Sequence, residues 1–266
     1  MFTFNYHRPD TLALALDTLT ANEEAKLLAG GQTLIATLKQ RLASPSDLID
    51  LASIPGLRGI EVNGDRLVVG AMTRHADVEN STLVREALPV LAEVAALIGD
   101  PAVRNRGTIG GSIANNDPSA DYPAACLGLN ATIVTDQRRI EADDFFVGLF
   151  ETALAADEIV LAVEFSLGGQ GAYEKFPNPA SRFAMAGALV WRGDGVRVAI
   201  TGAGQDGVFR WTEAEEALAG DFSVAALEGL SLSGDDMIGD IHGSGAYRAH
   251  LAGVMTRRAV ARIVRS

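Results

Sequence analysis

The sequence predicts an α+β fold, in which short strands and helices mix without a regular βαβ repeat. Apolar residues recur at helical spacing in several stretches, most clearly in residues 246–264. Short apolar runs of strand length lie between these stretches. The dipeptide Asn63-Gly64, flanked by alternating residues, predicts a two-stranded hairpin. Together these three observations favour an α+β fold over a doubly wound parallel sheet.

The composition excludes several classes of partner. The chain has 266 residues, of which 48% are hydrophobic and 6% aromatic, so it can build one large core or two modest ones. Its formal net charge of −12 argues against nucleic acid and anionic membrane surfaces, because both attract clustered Lys and Arg. No apolar run has the length of a membrane span, and no secretion signal is visible. We therefore expect a cytoplasmic chain.

Cysteine and histidine content argues against a metal or disulfide in this chain. Cys126 is the single cysteine, so the chain can form neither an internal disulfide nor a zinc or iron–sulfur site held by cysteines. The four histidines are scattered, and none shows the paired spacing of metal ligands. We expect a metal-free chain.

The elements of the first half follow from apolar spacing. The patterns predict helices over residues 9–21, from 34 to near Arg41–Ser44 and, in two or three pieces, over 74–98. They also predict strands over 26–29 and 48–51 and a hairpin over 60–69. Further along they predict a helix over 118–129, a strand over 131–135, a helix over 143–154 and a strand over 158–165. This half therefore holds most of the predicted helices.

The composition changes after residue 166. A glycine-rich stretch at 168–171 reads as a linker, so we predict one domain over residues 1–168 and a second over 171–266. The second domain begins as a meander with strands over 182–192 and 196–201. Helices over 213–219 and 246–264 follow.

The residues 108–121 form the first candidate site. Gly110 and Gly111 lack a Cβ, so the backbone can take positive φ and point successive N–H groups at an anion. Asp117 is a good N-cap and Pro118 a good first helical residue, which predicts a helix start there. A loop of bare amides leading into a helix is the usual way to hold a phosphate. The alternative is a tight turn and a capped helix without a ligand.

The residues 29–34 repeat this arrangement. Gly30 and Gly31 follow a short apolar run and precede a predicted helix. Two such turns in one half of the chain suit a ligand with two phosphates. A third glycine pattern, Gly202 to Gly207, matches G-x-G-x-x-G but continues as extended chain. We reject it as a dinucleotide site because the motif must open a helix whose N-terminus meets the pyrophosphate.

Through its two Gly-Gly motifs, the chain resembles the FAD-binding medium subunit of molybdenum hydroxylases. This group includes carbon monoxide dehydrogenase, xanthine dehydrogenase and aldehyde oxidoreductase. The resemblance covers essentially the whole chain, including the segments 173–176 and 252–258. It implies a PCMH-type FAD-binding domain of two α+β subdomains. A small domain like the C-terminal domain of carbon monoxide dehydrogenase flavoproteins would follow it.

The resemblance also implies the residues that bind FAD. Backbone and side-chain groups of both motifs should hold the pyrophosphate and sugar, Asp121 should accept from an FAD hydroxyl, and Lys175 should contact FAD. The alternatives stay open: Asp121 as a first-turn helix acid, Ile98 as plain core, and Lys175 as a surface lysine. The implied cofactor-binding residues are Ala29, Gly30, Gly31, Gln32, Thr33, Leu34, Ile98, Thr108, Gly110, Gly111, Ser112, Asp117, Asp121, Val160 and Lys175.

The implied function is electron transfer, and no catalytic residue is expected on this chain. The family places [2Fe-2S] clusters on a small iron–sulfur subunit and the molybdopterin cofactor on a large subunit, in a dimer of three-chain units. The acceptor would be NAD, a quinone or oxygen. Gln32 and Thr33 stand where many relatives carry His or Asn, then Ser, and their hydrogen-bonding chemistry is similar. Two rivals remain: a self-contained flavin oxidase or reductase, and a nucleotide-binding module without a redox role.

Overall fold

A computed structural model describes residues 1–265. The chain begins with three short strands and two helices: β1 (Asn5–His7), α1 (Leu12–Ala21), β2 (Lys26–Leu28), α2 (Leu34–Lys39) and β3 (Asp47–Asp50). The strands form a parallel sheet in the order β1-β3-β2, with α1 and α2 in the crossovers. The expectation of no βαβ repeat is therefore wrong for this segment. Strands of three or four residues are too short to show a repeat in sequence.

The middle of the chain carries the second sheet. In chain order its elements are β4 (Ile60–Asn63), β5 (Arg66–Gly70), α3 (His75–Asn80), α4 (Thr82–Ala87), α5 (Pro89–Ala96), α6 (Pro101–Arg104), α7 (Ile109–Asn115), α8 (Asp121–Gly128), β6 (Thr132–Thr135), β7 (Arg139–Glu141), α9 (Ala142–Phe145), β8 (Phe146–Gly148), β9 (Glu151–Thr152) and β10 (Val160–Ser166). The sheet is antiparallel in the order β4-β5-β10-β6-β7. Gly64, with φ +63°, closes the predicted Asn-Gly hairpin.

The third sheet follows after a glycine turn. Its part of the chain contains β11 (Gln170–Pro177), β12 (Ala184–Arg192), β13 (Val196–Thr201), β14 (Phe209–Arg210), α10 (Thr212–Gly220) and α11 (Gly245–Arg265). The four strands pair antiparallel in chain order, and α11 packs on β11 and β12. The residues 202–207 lead into strand β14, as the rejection of that glycine pattern predicts. The division into two domains at 168–171 stays a prediction.

Two predicted helices are wrong in extent. Instead of a helix over 143–154, α9 ends at Phe145 and a small hairpin of β8 and β9 follows. The run Phe145-Phe146-Val147 favours extended chain, because aromatic and β-branched residues pack well on a strand. The helix predicted to end near Arg41–Ser44 already ends at Lys39, because Arg41 takes a left-handed φ of +61°.

Candidate functional site

A cleft of about 570 Å³ lies where α2, α7 and the loop before β12 come together. This volume lies within the usual range for small-molecule sites. Of the sequence-predicted site residues, Lys175 alone does not line the cleft. The lining residues among them are Ala29, Gly30, Gly31, Gln32, Thr33, Leu34, Ile98, Thr108, Gly110, Gly111, Ser112, Asp117, Asp121 and Val160. Residues far apart in sequence thus meet at one site, and the fold brings both Gly-Gly motifs to it.

The first motif forms a loop of unpaired amides. Within residues 1–265, the backbone N–H groups of residues 30–34 donate to no protein acceptor. Gly31 takes φ +72°, a conformation that favours glycine. A Cβ on Gly30 would lie 2.2 Å from the carbonyl oxygen of Arg106 and 2.7 Å from Cα of Gly107. Gly30 is therefore required for the close contact of this loop with the segment before α7. We call residues 30–34 the amide loop.

The second motif differs from the sequence prediction. Gly110 and Gly111 lie in the first turn of α7, and neither takes positive φ. The Gly110 N–H donates to the Ala71 carbonyl (2.9 Å), and the Gly111 N–H donates to Oγ1 of Thr108 (3.2 Å). The expectation of bare amides at these two glycines is wrong, because Thr108 is an N-cap and Ala71 supplies an acceptor. Gly110 instead permits close packing, since its Cβ would lie 2.6 Å from Cβ of Ala71.

Asp117 and Pro118 do not start a helix. The Asp117 carboxylate accepts from the Ser119 N–H (2.8 Å) in a tight turn, and α8 begins at Asp121. The Pro118 carbonyl accepts from the Gly202 N–H (2.8 Å), which fixes this segment against the third sheet. Tertiary contacts thus override the local signal for a cap. Burial raises the pKa of the Asp117 carboxyl, which lines the cleft.

Lys175 lies behind the cleft and acts on its wall. Its ammonium donates to Oδ2 of Asp121 (2.8 Å) and to the Leu97 carbonyl (3.1 Å), next to Ile98. The Tyr173 hydroxyl donates a hydrogen bond to Oδ1 of the same aspartate (2.5 Å). Burial raises the pKa of Asp121, while the ammonium and the hydroxyl oppose this rise. The surface-lysine alternative is therefore wrong, because the Lys175 side chain is only 3% exposed.

Several cleft residues escaped sequence analysis. Glu158 is buried, and Arg138 binds both of its carboxylate oxygens, at 3.0 and 2.9 Å. These hydrogen bonds lower the pKa of Glu158 to about 2, so the carboxylate stays charged. His75, Phe150, Arg182 and Phe183 also line the cleft. The sequence offered a signal only for His75, which is a polar residue that follows the apolar strand β5.

The geometry defines what the site can bind. One wall carries the amide loop, which suits an anionic group, and Ile98, Leu154 and Phe183 supply apolar surface for a ring system. Within residues 1–265 no cluster of His, Cys, Asp and Glu could hold a metal ion. In the same part of the chain, no helix has both the length and the apolar character to span a membrane.

Comparison with known proteins identifies relatives over nearly the full chain. Residues 2–166 match the family described as the FAD binding domain in molybdopterin dehydrogenase. The chain is 36% identical to the carbon monoxide dehydrogenase medium chain of Hydrogenophaga pseudoflava, across 97% of this chain and 96% of the relative. It is 37% identical to the nicotine 6-hydroxylase medium subunit of Paenarthrobacter nicotinovorans, across 96% and 95%.

The fold agrees with these relatives. The solved structure of carbon monoxide dehydrogenase from Hydrogenophaga pseudoflava, in a form that lacks the Mo-pyranopterin moiety, matches with a TM-score of 0.90 at 36% identity. The match covers 98% of this chain and 97% of the other. The predicted α+β class and the resemblance to medium subunits are confirmed. The chain belongs to the family of FAD-binding domains of molybdopterin dehydrogenases, and it is an oxidoreductase subunit of the molybdenum hydroxylase type.

Proposed function

We propose that this cleft holds FAD and that the chain passes electrons between a partner iron–sulfur subunit and an external acceptor. The amide loop carries this proposal. Five consecutive N–H groups without a protein acceptor line the cleft, and an FAD diphosphate supplies the oxygens they lack.

The residues around the cleft fit the rest of the cofactor. Gln32, Thr33, Thr108 and Ser112 line it with side chains that can hydrogen-bond to sugar and phosphate oxygens. Asp121 keeps free lone pairs beside its contacts with Tyr173 and Lys175, so it can accept from a hydroxyl. Ile98 and the Val160 backbone form the wall that we assign to the flavin ring. Lys175 acts through Asp121 and the Leu97 carbonyl, not by direct contact.

When bound, FAD supplies the redox chemistry that no amino-acid side chain can perform. The chain's own residues bind and orient the cofactor, and we assign none of them as a catalytic acid or base. In the proposed assembly, a small subunit carries [2Fe-2S] clusters and a large subunit carries the molybdopterin cofactor, in a cytoplasmic dimer of three-chain units. The acceptor is NAD, a quinone or oxygen.

An apolar surface beside the cleft supports a partner there. Val147 on β8, and Leu149 and Phe150 in the turn at the hairpin tip between β8 and β9, are each half exposed. Phe150 also lines the cleft. Three exposed apolar residues within four positions favour an interface over a solvated surface. Asn116 fixes this tip, because its side-chain amide donates to the carbonyls of Gly148 (2.9 Å) and Glu151 (2.8 Å).

Two matched glycines test the amide loop. Gly31 and Gly64 both take positive φ, at +72° and +63°, but only Gly31 lies in the cleft. Gly31→Ala strains the amide loop, so we expect FAD affinity to fall by about tenfold or more, which corresponds to 1.4 kcal/mol. Gly64→Ala imposes the same backbone strain on the hairpin, although its Cβ meets no neighbour while that of Gly31 would meet Ile35, and it should leave FAD affinity unchanged. Equal FAD affinities for both variants would refute the assignment of the amide loop.

A further inference from the structure

His75 lines the cleft but belongs to neither Gly-Gly motif. It is the first residue of α3 and is 4% exposed. Its Nδ1 is buried and has no hydrogen-bond partner within the described residues. The nearest ring is that of Tyr122, with centroids 5.3 Å apart, and the Tyr122 hydroxyl is also unpartnered. Nε2 of His75 likewise has no protein hydrogen-bond partner among the described residues, although the ring lines the cleft.

The other ring nitrogen of His75 lies next to the amide loop. A Cβ on Gly107 would lie 2.4 Å from Nε2 of His75, so this nitrogen abuts Gly107. Gly107 lines the cleft and also contacts Gly30, the first residue of the amide loop. One glycine therefore separates Nε2 from the amide loop.

The protonation of the ring follows from its surroundings. Burial, with a smaller contribution from the charge of Arg104, lowers the pKa of His75 to about 4. The imidazole is therefore neutral near pH 7 and carries one N–H. A buried N–H without an acceptor is rarer than a buried acceptor without a donor. The favoured tautomer thus has its proton on Nε2, beside the cleft, and leaves Nδ1 as the unpaired acceptor.

We propose that His75 donates a hydrogen bond from Nε2 to a phosphate oxygen of the diphosphate held by the amide loop. This inference rests on the proposed function and adds a binding residue to it. The neutral imidazole supplies a fixed donor where the second motif supplies no free amide at Gly110 or Gly111. Glycine at position 107 leaves room for the ring in this position, since a Cβ there would collide with Nε2.

The test compares ligands with and without phosphate. Affinities of the full chain for FAD, ADP, riboflavin and adenosine are measured for the wild type, His75→Leu, His75→Gln and the exposed control His250→Leu. We expect His75→Leu to lower the affinities for FAD and ADP by about tenfold or more, the effect of losing one hydrogen bond to a charged group. The affinities for riboflavin and adenosine should not change. His75→Gln, which restores a donor near Nε2, should recover most of the loss. His250→Leu should change nothing.

Three results would overturn the inference. Equal losses for ADP and adenosine would indicate a structural role, and unchanged FAD affinity in His75→Leu would exclude the contact. Nitrogen-15 NMR of the wild type provides an independent reading: the proton must be on Nε2, and ADP, but not adenosine, must shift that signal. A proton on Nδ1 would contradict the proposal. A wild-type chain that binds neither FAD nor ADP would instead refute the proposed function itself.

Discussion

The Lys175 ammonium lies 2.8 Å from Oδ2 of Asp121, and this contact joins strand β11 of the third sheet to the first residue of α8. Both side chains are almost fully buried, at 3% and 4% exposure. Because Asp121 lines the cleft and Lys175 also holds the Leu97 carbonyl, the third sheet positions two parts of the cleft wall.

Removing one partner of this ion pair should lower the free energy of unfolding strongly. Lys175→Met leaves a buried carboxylate without its cation, so we expect a loss of about 3–5 kcal/mol in the free energy of unfolding. The double variant Lys175→Met/Asp121→Asn should lose less than the sum of the two single variants, measured by urea unfolding. Arg262→Met, which breaks the exposed pair with Glu93, should cost about 1 kcal/mol or less. Additive losses in the cycle would contradict a coupled pair.

Glu158 should make stability depend on acid pH. Arg138 lowers the pKa of Glu158 from its ordinary 4.5 to about 2, so the carboxylate stabilises the folded state above pH 4.5. That stabilisation is lost as the pH falls from 4.5 toward 2. Glu158→Gln should therefore be less stable than the wild type by about 2 kcal/mol at pH 7, with a gap that closes in this window.

Urea unfolding of both proteins between pH 7 and pH 2 measures this difference. Glu93→Gln is the control, because Glu93 is about half exposed and its pair with Arg262 lies on the surface. A stability gap for Glu158→Gln that stays constant down to pH 2 would show that charge is not its cause.

The sequence located the cleft through its two glycine motifs but not the way each motif works. Gly31 takes the expected positive φ, because a backbone turn between strand and helix is a local property. Gly110 does not, because its environment depends on Ala71, which lies 39 positions earlier (110 − 71). A single sequence carries no sign of that contact, so a packing glycine looks the same as a ligand-binding glycine.

The cleft residues that the sequence did not predict also depend on long-range contacts. His75, Glu158 and Phe183 reach the cleft through long-range packing of three sheets. Only His75, a polar residue after β5, carries a local signal, and that signal does not place it in the cleft. Lys175 was found by resemblance, yet its burial against Asp121 was not, because β11 reads like an ordinary half-exposed strand. Local turns and helices were thus predictable, whereas residue pairs between the second and third sheets were not.

Two buried tyrosines should respond differently to loss of their hydroxyl groups. Tyr122 has no partner for its hydroxyl within residues 1–265, whereas Tyr173 donates to Asp121. Tyr122→Phe should leave the free energy of unfolding unchanged or raise it by up to about 1 kcal/mol, because an unpaired polar group is removed. Tyr173→Phe should lower it by about 1.5–3 kcal/mol, because a hydrogen bond to a charged group is lost. Equal losses in urea unfolding would reveal a partner for the Tyr122 hydroxyl.

The apolar hairpin tip should matter for assembly and not for the cofactor. Leu149 is 50% exposed, so Leu149→Glu should leave folding and FAD content unchanged while placing a charge in the proposed interface. We expect it to abolish co-purification with the iron–sulfur subunit. Val62→Glu, on strand β4 and 42% exposed, is the matched control and should co-purify normally. Normal assembly of the Leu149 variant would exclude this tip from the interface.

The most direct test of the account is the visible absorption spectrum of the full chain, purified alone and co-expressed with its partner subunits. We predict a flavin spectrum in at least one of these preparations, with FAD released on denaturation, and lower FAD content in Gly31→Ala than in Gly64→Ala. A colourless protein in both preparations that also fails to take up added FAD would contradict the assignment of the cleft.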